Sequence, residues 1–172
     1  ICNGFQILVE LGALSGTDSG TTKIPNAVLH TNDSNRFEAR HVNLKVNSSN
    51  KSFFLDKYET DQVLAIPNAH AEGKLILDKD KLTEIESNNQ VAFRYCNSEG
   101  SLEPGYPWNP NGAPNDIAGI TNSRGNVLGM MPHPERVFHG WQHTDWTSTG
   151  KNPDGPGDGR ALFEGVVEFL CK

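Results

Sequence analysis

The sequence predicts one mixed α/β domain, on three observations. Apolar residues recur at helical spacing near both ends, in "NGFQILVELG" and "GRALFEGVVEFLCK". Runs of alternating or continuous apolar residues lie between them, as strands require. Stretches rich in Gly, Pro and Asn separate these runs, with no internal repeat and no interdomain linker.

In chain order, residues 3–12 form a helix with Phe5, Ile7, Leu8 and Leu11 at helical spacing and Gly12 as its stop. Residues 13–35 are loop with room for one short strand. From "RFEARHVNLKV" the pattern turns β, Val42, Leu44 and Val46 alternating with His41, Asn43 and Lys45. "VLAIPNAHAEGKLIL" gives two short strands around a turn at Asn68–Gly73. "DKDKLTEIESNN" gives a short helix and "QVAFRYC" a strand. "EPGYPWNPNGAPND" is loop. "IAGITN" and "NVLGMMP" are strands joined by a turn at Ser123-Arg124-Gly125. Residues 138–158 form a second polar loop. The last helix places Leu162, Phe163, Val166, Val167 and Leu170 on one face.

The 172 residues suffice for a real core, and 35% hydrophobic with 21% charged residues excludes a disordered chain. A net charge of -6 leaves no electrostatic footprint for nucleic acid. No apolar run reaches the length of a membrane span. Cys2, Cys96 and Cys171 are odd in number and far apart, which favours a reduced, cytoplasmic setting over a disulfide framework or a metal site. Cys96 lies in an apolar run and is expected to be a buried small hydrophobe.

Cys2 is the cysteine whose neighbours suggest chemistry. It precedes Asn3-Gly4 and a helix, the arrangement of a nucleophile on a tight strand-to-helix turn. A helix N-terminus favours negative charge beside it and offers free N–H groups to an oxyanion. The bland reading is a buried thiol at a strand end. A thiol nucleophile needs a base, and the base an orienting group. "MMPHPER" offers both: His133 follows an apolar strand, and Glu135, two residues on, points the same way in extended backbone. Alone, this is a solvated pair in a Pro-rich loop; with Cys2 it sits where open α/β sheets place their sites. His70, in "NAHAEGK", is a second base, a substrate contact or a solvated turn residue. Arg36 and Arg40 meet an anion, a partner's acidic face or each other's surface carboxylates. His139, His143 and Asp145 are too loop-bound to make a metal site.

These residues resemble a known family. "ICNGFQIL" is similar to the nucleophile motif of class I, triad-type glutamine amidotransferases, and "MMPHPER" to their His-x-Glu motif. With "RFEAR", "AHAEGK", "RYC" and "NPNGAPNDIAGIT", the chain resembles the glutaminase branch serving phosphoribosylformylglycinamidine synthases, over nearly its whole length. The resemblance implies a flavodoxin-like three-layer sandwich with a mixed sheet. It also implies that the family's N-terminal strands and the glycine-rich loop completing the oxyanion hole are missing, residues 1–172 being one N-terminally truncated glutamine amidotransferase domain. It makes Cys2 the nucleophile, His133 the general base and acid, and Glu135 its orienting group. Gln6, Asn3, Gly4 and His70 become contacts to L-glutamine. Ammonia would pass to a synthetase domain or subunit that holds ATP and magnesium, while this chain carries no cofactor and no metal. There it would convert formylglycinamide ribonucleotide to the amidine in purine biosynthesis. His70-Ala71-Glu72-Gly73 stands where the family shows His-Gly-Glu-Gly. Two alternatives stay open: a glutaminase-like module without chemistry, and a triad cysteine hydrolase acting on γ-glutamyl substrates.

Overall fold

A computed structural model gives the structure of the protein and describes residues 1–14, 26–102, 105–150 and 152–172. Helix α1, Asn3–Glu10, is followed by strand β1, Ala27–His30, and strand β2, Glu38–Val46. Strands β3, Val63–His70, and β4, Lys74–Leu77, lead to helix α2, Lys79–Ser87. Strands β5, Val91–Cys96, β6, Ile117–Thr121, and β7, Leu128–Met130, complete the sheets. Helices α3, Trp146–Thr149, and α4, Arg160–Leu170, close the chain, with short 3₁₀ turns at Phe53–Leu55, Pro114–Asp116, Pro134–Val137 and Gly140–Gln142.

The strands form a five-stranded sheet of order β3-β2-β5-β6-β7 and a two-stranded ribbon of β1 and β4. Successive residues of a strand face opposite sides, and here neighbours divide between two cores. Val91, Ile117 and Met131 join one, with Phe5 and Val9 of α1 and Ile85 of α2. Ala92, Ala118 and Met130 join the other, with Leu162 of α4, Leu55 and Val137. The sheet is thus covered on both sides, the layered α/β fold that the sequence predicts. All strand pairings among the described residues are antiparallel, and the parallel pairs of a mixed sheet are not among them. The physical reason lies in the links: β2–β3 and β6–β7 are sequential neighbours, whereas parallel pairing needs a long crossover.

Three details differ from the sequence reading. Strand β3 runs through Asn68 to His70 instead of turning at Asn68, so the turn shrinks to Ala71–Gly73. Its Pro67 is tolerated because β3 is an edge strand. Strands β3 and β4 flank that turn but pair with β2 and β1 respectively. The polar loop 138–158 contains α3 and is pinned to β3: Asp158 Oδ2 accepts from Ala65 N–H at 2.8 Å, and Asp158 N–H donates to His143 Nε2 at 3.2 Å. Part of the loop expected over 13–35 falls on residues 15–25, outside the described residues.

Helix α1 sits close upon β7 because Gly129 has no side chain: a Cβ there would overlap the Phe5 ring and Leu14. Phe5 and Val9 are fully buried, each contributing about 1.5–3 kcal/mol. That packing fixes the first turn of α1, and therefore Cys2.

Candidate active site

Cys2 is the N-cap of α1, with φ 53° and ψ -114°. A non-glycine residue at such a dihedral stores about 1–3 kcal/mol of strain and persists only where its surroundings hold it. They do: Cys2 N–H donates to Met130 O at 2.9 Å, and Cys2 O accepts from Phe5 N–H at 2.8 Å. The thiol is half-buried and free, its Sγ 3.8 Å from Ala69 O. Asn3 is exposed at the start of the helix, where its N–H has no intrahelical acceptor. Around Gly4 there is open space, nothing lying within 4 Å of where a Cβ would stand. Gln6 does not hang free: its Nε2 donates to Glu72 O at 3.1 Å, bracing α1 against the turn after β3.

His133 leaves the end of β7 and caps the 3₁₀ turn Pro134–Val137. The residue is 7% exposed. Glu135 accepts from Nδ1–H at 2.6 Å, not across extended backbone as the sequence suggests but within that turn. A carboxylate can only accept here, so Nδ1 carries a proton, and in the neutral ring the lone pair is on Nε2. His133 N–H donates to Pro67 O at 2.7 Å. Carbonyls 67 and 69 point off the same edge of β3, roughly 7 Å apart. The backbone of His133 and the thiol of Cys2 therefore meet one strand edge side by side. They are not hydrogen-bonded to each other: His133 Nε2 makes no hydrogen bond among the described residues. Catalytic pairs commonly close only around substrate.

His70 lies inside the molecule, 4% exposed, at the end of β3. It is not a solvated turn residue. Burial pushes its imidazole down to about 4; Glu38, its cross-strand partner, opposes that shift and His133 adds to it. Burial also raises the Glu38 carboxyl, but hydrogen bonds from Ser34 and Arg40 outweigh it and hold the group below the usual carboxylate range. Arg40 spends its guanidinium on Glu38, Tyr106 Oη (2.9 Å) and Pro107 O (3.3 Å), a cluster within the chain that reaches the surface at Tyr106. Arg36 is exposed.

Sequence reasoning missed Asn32 and Asn68. Asn32, 1% exposed, holds the 70–73 turn: Oδ1 accepts from Gly73 N–H (3.1 Å) and His70 Nδ1–H (3.0 Å), while Nδ2 donates to His70 O and Arg36 O, both at 2.9 Å. A Cβ at Gly73 would overlap the His70 ring, so glycine is needed there. Asn68 is 2% exposed, and neither side-chain polar atom has a hydrogen bond among the described residues. Its signal was in the sequence: in "VLAIPNAH" a polar residue takes the inward position that Leu64 and Ile66 set up. His139, His143 and Asp145 make no metal cluster, and among the described residues no group of three His, Cys, Asp or Glu is placed to hold one. Cys96 is buried, and burial pushes its thiol up to about 11; Cys171 is exposed.

The comparison with known proteins adds the lineage. A family model described as "CobB/CobQ-like glutamine amidotransferase domain" matches residues 1–170. The chain belongs to this glutamine amidotransferase family. It is 46% identical over 178 residues to "Phosphoribosylformylglycinamidine synthase subunit PurQ" of Archaeoglobus fulgidus, covering 100% of this chain and 62% of the relative. A protein of the same name from Picrophilus torridus is 44% identical over 142 residues, covering 83% of this chain and 53% of the relative. The chain thus spans less than two thirds of the length of either relative. Among solved structures, "Structure of PurLQS from Thermotoga maritima" matches with a TM-score of 0.67 and 29% identity, covering 98% of this chain and 59% of that one. The amidotransferase fold is thereby shared, and no helix among the described residues is long and apolar enough to cross a membrane.

Proposed function

We propose that this chain hydrolyses L-glutamine and supplies the ammonia to a synthetase partner, where ATP and magnesium serve the conversion of formylglycinamide ribonucleotide to formylglycinamidine ribonucleotide. The observation that carries the proposal is the meeting of Cys2 and the Glu135-oriented His133 at one edge of β3, in a chain alignable over its full length with a PurQ subunit. In this reading, Cys2 Sγ gives its proton to His133 Nε2 and attacks the side-chain amide carbon of glutamine. The N–H groups at the start of α1, Asn3 among them, receive the oxyanion. On collapse the C–N bond breaks, the Nε2–H proton goes to nitrogen, and neutral ammonia leaves a glutamyl thioester. Water then gives a proton to Nε2, attacks the thioester carbon and releases glutamate, the proton returning to sulfur. Glu135 stabilises the imidazolium at each step. The open space above Gly4 gives room for the glutamine head, and Gln6 fixes the neighbouring turn. A cytoplasmic setting suits three unpaired cysteines.

The test is kinetic. In the protein assembled with its synthetase, Cys2→Ala is expected to abolish glutamate release yet leave synthesis from added ammonia intact. Retained glutamine turnover in Cys2→Ala would contradict the proposal.

A further inference from the structure

On the surface beside the 70–73 turn lies a cleft that the proposed chemistry leaves unused. Asp33, Ser34, Arg36 and Tyr106 line a cavity of about 350 Å³. A second cavity, of about 180 Å³, shares Asp33, Ser34 and Tyr106 with it and runs on to Asn109 and Pro110. The walls are held in place. A Cβ at Gly112, where φ is 77°, would overlap the Asp33 carboxylate, so the two loops close upon each other only around a glycine. Asp33 N–H donates to Asn111 O at 3.2 Å, and Lys74 Nζ holds Asp33 Oδ1 at 2.6 Å. Arg40 stands 5.0 Å over the Tyr106 ring and donates to its hydroxyl. Tyr106 is nonetheless 62% exposed. The exposed Arg36 guanidinium has no hydrogen-bond or ion-pair partner among the described residues. The cleft thus presents an aromatic face already fixed in orientation and one unmatched cation. Tyr and Arg are the residues protein interfaces use as anchors, and a ring held beforehand loses little entropy on binding.

We infer that this cleft receives an acidic segment of the synthetase partner, with a carboxylate on Arg36 and an apolar or planar side chain on the Tyr106 ring. The inference rests on the glutaminase reading, which supplies the partner. Ammonia set free in water is protonated and ceases to be a nucleophile, so the protein that consumes it must seat close around the site. The cleft is continuous with that site. Asn32 Nδ2 donates both to Arg36 O and to His70 O, Asn32 N–H donates to Ala71 O at 2.8 Å, and the turn after His70 braces Gln6 of α1. Charge selects the segment. The chain carries a net charge of -6, so most of its surface repels carboxylates. Here Arg40 and Lys74 are matched by Glu38 and Asp33, which leaves Arg36 as the surplus charge. A guanidinium takes a carboxylate through two parallel hydrogen bonds.

The experiment measures binding to the purified synthetase partner by sedimentation velocity, for the native protein, Arg36→Glu, Tyr106→Ala and Cys2→Ala. Arg36→Glu and Tyr106→Ala are each expected to raise Kd about tenfold or more. Salt is expected to weaken binding of the native protein and to affect Arg36→Glu much less. Cys2→Ala is expected to bind as the native protein does, so a failure of the glutaminase reading, seen as glutamine hydrolysis retained in Cys2→Ala, is scored apart from a failure of docking. Native affinity in Arg36→Glu and Tyr106→Ala overturns the inference and leaves the glutaminase reading standing. Two other results overturn it as well: altered self-association of this chain, which gives the cleft to a second copy, or a raised KM for glutamine at unchanged partner affinity, which gives it to substrate. Hydroxyl-radical footprinting of the native protein decides without any variant. Oxidation of Tyr106 suppressed by the synthetase supports the docking, and equal oxidation in the free and complexed protein overturns it.

Discussion

At the residue scale, the most perturbed group near the thiol is one that the chemistry does not use as a base. His70 is held neutral by burial, with its imidazole down at about 4. An ordinary unfolded histidine titrates near 6.5. As pH falls below that value the unfolded chain takes up a proton that the folded chain refuses. The stability associated with neutral His70 is therefore present above about pH 6.5 and is lost as pH drops toward 4. Between pH 7 and pH 5 the loss is about 2 kcal/mol. Denaturant unfolding at the two pH values is expected to show it in the native protein and to lack most of it in His70→Gln, which cannot titrate. Equal pH dependence in both would mean that His70 is not held neutral by its surroundings. Cys2 shows the other residue-scale device, a left-handed dihedral held by Met130 O on one side and the helix on the other. Its backbone is committed before any substrate arrives.

At the scale of elements, β3 organises the site. Its outer edge offers Ala65 N–H to Asp158, Pro67 O to His133 and Ala69 O to the thiol. Groups at every second residue point the same way, so one strand lines up three otherwise unrelated segments. Removing the first tie tests this scaffold. Asp158→Ala is expected to destabilise the protein by about 1–3 kcal/mol, because the Ala65 N–H loses its acceptor. Asp158→Asn, which still accepts, is expected to lose less. Denaturant midpoints and the rate of proteolysis in loop 138–158 read the difference; identical midpoints in Asp158→Ala and the native protein would remove β3 from this role. Much of this was legible in the sequence. Helix spacing and Gly12 announced α1, alternation announced β2, and the Cys2 and His-x-Glu motifs announced the two halves of the site. What stayed hidden depends on contacts distant in sequence. Nothing near Asp158 says that it caps residue 65, and nothing near Asn32 says that it holds the turn at 70–73. The turn expected at Asn68–Gly73 begins only after His70, because β3 is an edge strand and carries Pro67 in its middle.

At the scale of the whole molecule, the site lies where the sheet curls back on itself. Strands β3 and β7 are its two edges, yet His133, just past the end of β7, bonds to Pro67 in β3. The two cores on either face of the sheet hold that curl. The chemistry proposed at this seam requires Cys2, alone among the cysteines, to be the nucleophile. Cys96 is buried with its thiol pushed up to about 11, and Cys171 is exposed far along the chain, open to any small thiol reagent but attached to no site. A reagent shaped like glutamine separates the half-buried Cys2 from the exposed Cys171 where a simple alkylator does not. The direct measurement is mass mapping after treatment of the protein, alone and with the synthetase partner proposed for it, with a glutamine-mimicking electrophile. One adduct, on Cys2, in step with loss of glutamate release, is the predicted result; an adduct on Cys96 or Cys171 in step with that loss would contradict the account.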